Sequence, residues 1–128
     1  MNKLNVALII MFLLTACNSR EKREKALMEL DAAQITLSTV QTKIKSLETT
    51  LNKNIVELEV AKDELEKVKE FQFLRTEAER KQQIREATEH KLKIEENIQN
   101  LNTNIMYFKD SVRRIEVRIG RLKESLKD

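Results

Sequence analysis

Leu30 to Val68 reads LDAAQITLSTVQTKIKSLETTLNKNIVELEVAKDELEKV. Leu30, Leu37, Ile44, Leu51, Leu58 and Leu65 recur every seven residues, and Ala33, Val40, Leu47, Asn54, Ala61 and Val68 each follow three places later. An apolar residue every 3.5 positions on average is the a and d seam of a coiled coil, because it keeps one face of an α-helix turned toward a partner helix. A second block keeps the same interval. It places Ile84, Lys91, Ile98, Ile105, Val112, Ile119 and Leu126 at a, and Ala87, Ile94, Leu101, Phe108, Ile115 and Leu122 at d.

The composition around these blocks agrees with helix. The 128 residues include one Gly and no Pro, with 35% charged and 4% aromatic. Gly and Pro punctuate strands and loops, so their near absence argues against all-β and α/β folds and predicts an all-α chain. High charge also marks disordered chains, but disordered segments lack this periodicity. The 24 basic and 21 acidic residues leave a net +3, too little to point to nucleic acid.

The two seams are out of phase. Leu65 and Ile84 are 19 residues apart, and at about 103° per residue in a heptad frame the second stripe is rotated by roughly 150° from the first. One continuous helix would carry the stripes on nearly opposite sides. A turn near residues 69–83 lets the second helix fold back so that the stripes face each other, and the expected fold is a long antiparallel helical hairpin. In such a pair an a residue meets a d residue and paired numbers have a constant sum. A sum of 152 centres the turn on Thr76 and matches Leu58 with Ile94, Leu51 with Leu101 and Ala33 with Ile119, with slips by one heptad as the alternatives. It also brings Lys62 near Glu95 and Glu48 near Lys109 on the flanks. The turn segment KEFQFLRTEAERKQQ (Lys69–Gln83) has no Gly, Pro or Asn and would itself make good helix. A single long bent helix is therefore the alternative.

At the N-terminus, Met1–Asn5 carries one positive charge, and VALIIMFLLTA (Val6–Ala16) is an apolar run of 11 residues that leads into Cys17. This is the three-part layout of a secretory signal. The run is about half of the roughly 20 residues that a membrane-spanning helix needs, so a removable signal is expected rather than a permanent span. Leu14-Thr15-Ala16-Cys17 resembles the lipobox of bacterial lipoproteins, in which a Leu and two small residues precede an invariant Cys. The resemblance implies a diacylglyceryl group on the Cys17 thiol, cleavage just before it, and acylation of the new amino group. Residues 1–16 would then be the signal peptide, 17–26 the lipidated N-terminus and a short tether, and 27–128 the coiled-coil hairpin. Without Met1–Ala16, which holds only Lys3, 23 basic and 21 acidic residues leave +2. Two or three acyl chains, at about 0.8 kcal/mol per buried methylene, anchor a protein without spanning the bilayer. In the enteric pattern, Asn18 in place of Asp after the Cys points to the outer membrane. The alternative is a lone Cys in an ordinary secretory signal. Cys17 is the only cysteine, so no intrachain disulfide supports the body.

Three further features bear on partners. Phe71, Phe73 and Leu74 gather where the turn is expected and form an apolar tip for docking a partner, or else plug the open end of the hairpin. Arg113, Arg114, Arg118 and Arg121 would lie near the lipid end of a hairpin, where anionic head groups attract each cation by about 1 kcal/mol; a solvated face shared with Glu116 and Glu124 is the alternative. Met28, Ile35, Ile55, Val56, Leu92, Met106, Tyr107 and Val117 lie outside the seams, which points to a homo-oligomer or partner helices or to ordinary scattered surface apolars. His90, the only histidine, falls on a flank without the companions a metal requires. No phosphate loop, no Cys/His cluster and no Ser/His/Asp set is present. An enzyme, a small-molecule substrate, a nucleic-acid partner and any cofactor other than the lipid on Cys17 are not expected.

A lipobox followed by a coiled coil is similar in plan to the Braun-type murein lipoprotein, which tethers the outer membrane to peptidoglycan. The similarity covers the signal and the heptads only. That family forms a single-helix trimer joined to murein through a C-terminal Lys, whereas this chain has two out-of-phase blocks and ends Leu126-Lys127-Asp128, which argues against covalent murein attachment. The expected role is a membrane-anchored rod, spacer or scaffold of the bacterial cell envelope. An adaptor that docks an envelope complex through its apolar tip, and a surface-exposed binding lipoprotein, are the alternatives.

Overall fold

The computed structural model of the chain describes residues 3–71 and 75–127. Its described residues form two helices, α1 (Lys3–Glu70) and α2 (Glu77–Lys127), with no strand among them. Both helix ends fall inside the expected turn region, and the local chemistry explains them. Lys67 and Lys69 lie in the last turn of α1, where cations meet the negative end of the helix dipole. The Phe71 N–H donates to the Lys67 carbonyl at 3.0 Å, closing a final turn. α2 opens with a reciprocal cap. The Glu79 N–H donates to Thr76 Oγ1 at 3.3 Å, and the Thr76 N–H donates to Glu79 Oε2 at 3.2 Å. Two amides that a helix start leaves without carbonyl partners are thereby satisfied.

The chain forms two compact units, one of residues 41–110 and one that joins 1–40 to 111–128. Within the unit 41–110, Lys109 Nζ lies 3.2 Å from Glu48 Oε1. A cavity of 370 Å³ there is lined by Glu64, Lys67 and Val68 of α1 with Gln83, Glu86 and Ala87 of α2. Its buried core is Ala61, Leu65, Ile94 and Ile105, of which Ala61 is the most enclosed at 1% exposure. In the other unit, Arg118 Nη2 lies 3.9 Å from Glu29 Oε2, and Ala33 and Ile119 are buried.

All six buried residues are a or d positions, and every other a and d residue of the two blocks is half-buried. The Glu48–Lys109 contact is one that the register of 152 anticipates. The anticipated approach of Lys62 to Glu95 gives way to local pairs, Lys62 with Glu59 at 3.2 Å and Lys91 with Glu95 at 3.5 Å. Partners three or four residues apart are neighbours on one helix surface and meet with less ordering than partners on two helices.

Candidate functional site

Leu14, Thr15, Ala16 and Cys17 occupy consecutive positions of α1, and all four are exposed. The Thr15 hydroxyl donates back to the Met11 and Phe12 carbonyls at 2.8 and 3.0 Å, so it asks for no outside partner. The Cys17 thiol is free and exposed. An 18-residue stretch of α1 near the N-terminus is apolar enough to cross a membrane by length and composition, and none of it is buried. A signal sequence near the N-terminus and the core helix of a soluble protein, mostly buried, pass the same test. Residues 17–26, expected as a tether, continue α1; Ala26 alone is half-buried, and Arg20 pairs with Glu24 at 3.5 Å. Thr15, Asn18, Ser19, Lys22, Arg23 and Ala26 line a cavity of 590 Å³ together with Ser125 and Leu126 of α2. The segment around Cys17 thus borders the end of the second helix within one unit.

The chain matches no protein-family model, no curated protein and no solved structure.

The four arginines do not form one cluster. Arg113, Arg114 and Arg121 line a shallow cavity of 380 Å³ around the exposed Val117, and Arg114 Nη2 donates to Ser111 Oγ at 3.0 Å. Arg118 turns instead to the seam flank, where it meets Glu29. At the turn, Phe71 is 59% exposed, while Phe73 and Leu74 lie outside the described residues. Among the described residues no group of three or more His, Cys, Asp and Glu side chains is placed to hold a metal ion.

Among the described residues, one titrating group is clearly perturbed. A 2.8 Å contact with Asp63 holds the Lys67 ammonium above its ordinary range, first through the hydrogen bond and then through the charge of Asp63, with slight burial opposing and Glu64 adding.

The Thr76/Glu79 cap is the feature that sequence reasoning passed over. Its signal, Thr76-Glu77-Ala78-Glu79 before the second apolar block, is the pattern of a helix start.

Proposed function

We propose that this chain is a bacterial envelope lipoprotein, held to a membrane, by Asn18 the outer one, through acyl chains on Cys17. Its two helices form an antiparallel coiled-coil hairpin that acts as a structural spacer or scaffold. The observation that carries the anchoring is Leu14-Thr15-Ala16-Cys17 placed directly after an apolar run that is wholly exposed, with the thiol free. The hairpin is supported within residues 41–110, where Glu64–Val68 share a cavity with Gln83–Ala87 while Glu48, further from the turn, pairs with Lys109. Pairs that open outward from one turn are the mark of opposed chain directions.

The test is the intact mass of the chain extracted from bacterial membranes. Expected is a species beginning at Cys17 and carrying acyl chains; Cys17→Ser should retain residues 1–16 and incorporate no labelled palmitate. A wild-type chain that loses its leader without gaining lipid would overturn the proposal.

The exposed Phe71 favours a second reading, an adaptor that binds an envelope protein with its turn. A photo-cross-linking residue at 71 should then capture one defined envelope protein; uniform labelling of abundant neighbours would count against it.

A further inference from the structure

Between Met28 and Val60 the back of α1, at heptad positions c and f opposite the seam, is almost free of charge in a chain that is 35% charged. In the unit containing residues 1–40 these positions from Met28 onward are Met28, Ala32, Ile35 and Thr39, all exposed. In the unit 41–110 they are Thr42, Ser46, Thr49, Lys53, Val56 and Val60, also exposed and with Lys53 the one charge among them, before the charged Asp63 and Lys67 close the stretch toward the helix end. Ile35 and Val56 are 61% and 64% exposed. The Thr39 and Thr49 hydroxyls donate to the Ile35 and Lys45 carbonyls at 3.0 Å, so these residues present methyl groups outward rather than unmet donors. The same positions of α2 carry Glu89, Lys93, Glu96, Arg114 and Arg121, as a solvated helix back does. Only one of the two helices avoids charge where water alone would tolerate it.

We infer that a second copy of this chain covers this face, with the two α1 helices parallel and in register. The need for a cover is visible in the core, where only six residues are buried and no large side chain is fully enclosed among the described residues. A parallel copy covers Met28, Ile35, Val56 and Val60 together, like facing like across a two-fold axis. Along the middle of the face its flanking charges then meet neutral groups: Asp31 faces Thr36, Lys43 faces Ser38, Lys45 faces Thr50, and Glu57 faces Asn52, while at the two ends Glu24 faces Glu29 and Glu59 faces Glu64. The antiparallel pairing of equal overlap sets Lys43 against Lys43 and Asp31 against Glu59. An antiparallel slip of two heptads pairs Lys43 with Glu57 and Lys45 with Glu59 but leaves Met28 and Ile35 in water. Exposed ion pairs contribute less than the burial of two large apolar side chains. Lys53 meets its counterpart at an a-like position, where a lone Lys is tolerated and fixes register and strand number. The parallel direction rests on the lipoprotein reading, since two copies anchored at Cys17 leave the membrane the same way.

The test uses the full chain with Cys17 retained, Thr42→Cys or Thr49→Cys added singly, and mild oxidation, with the unmodified chain run beside it as background. Expected is a disulfide-linked dimer from each, well above that of Thr103→Cys on the back of α2. Ile35→Lys with Val56→Lys should halve the sedimentation mass while helical circular dichroism stays unchanged. The inference is overturned by a monomer, by equal linking at 103, by a dimer that survives the double substitution, or by linking found only when Ser46→Cys and Val56→Cys chains are mixed. The intact mass of the same preparation reports lipid on Cys17, so a failure of anchoring is seen separately from a failure of pairing.

Discussion

Ile94 holds a d position of α2 and is nearly enclosed, whereas Met106 on the same helix is largely exposed. Truncation should separate them cleanly. Ile94→Ala removes buried methylenes and leaves a cavity, at a cost of about 2–5 kcal/mol; Met106→Ala, on the surface, should stay within about 0.5 kcal/mol. Urea unfolding followed by circular dichroism measures both, and equal losses would contradict the burial pattern. Lys67 offers a test of charge. Its folded-state pKa is raised by Asp63, so the pair's contribution is fully present at pH values below the ordinary lysine range and is lost as pH rises through the raised value. Both side chains are well exposed, so the effect on stability is small. The shift itself is the readout: in Asp63→Asn, the NMR titration of the Lys67 side chain should move down toward the ordinary lysine value.

At the scale of the helices, the periodicity that identifies the seams is the same quantity that burial reports. An interval of 3.5 residues and enclosure on one face are a single physical fact, and so each a and d position from Leu30 to Leu126 was legible in advance. The end of α1 at Glu70 and the start of α2 at Glu77 were legible only as a region, because Lys69–Gln83 is rich in helix formers and it is the Thr76/Glu79 cap that fixes the restart. Thr76→Ala should therefore cost about 1 kcal/mol and fray the first turn of α2, seen as faster amide exchange at 77–80. Gly120 is the opposite case, a helix-interior glycine at which an added Cβ would meet nothing within 4 Å. Gly120→Ala should stabilise the chain by roughly 0.5–1 kcal/mol, seen as a higher melting temperature. The division of the arginines was also within reach of the sequence, since Arg118 sits beside the seam residue Ile119 while Arg114 and Arg121 fall at c. The choice of Glu59 over Glu95 by Lys62 was not, because periodicity carries no information on the competition between a local ion pair and a distant one.

For the molecule as a whole, the proposed hairpin makes a claim about distance that the two out-of-phase seams require. Ile55 and Asn102 are exposed e-position residues within the unit 41–110, on the flank that carries the Glu48–Lys109 contact. Spin labels there, in a chain beginning at Asn18 and diluted with unlabelled chain, leave the seam untouched. Helices packed at about 8–10 Å between axes place such labels roughly 10–20 Å apart once the label arms are counted. A continuous helix would separate the same positions by 47 residues, about 70 Å at 1.5 Å each. A short distance that survives dilution establishes that each chain satisfies its own seam, and the charge-poor back of α1 between Met28 and Val60 is then free to face a second copy. A distance near 70 Å would leave the Glu48–Lys109 pair to be made between chains. The matched seams would in that case belong to an assembly, and no single chain would bury Ile94 or Ile105 without its neighbour.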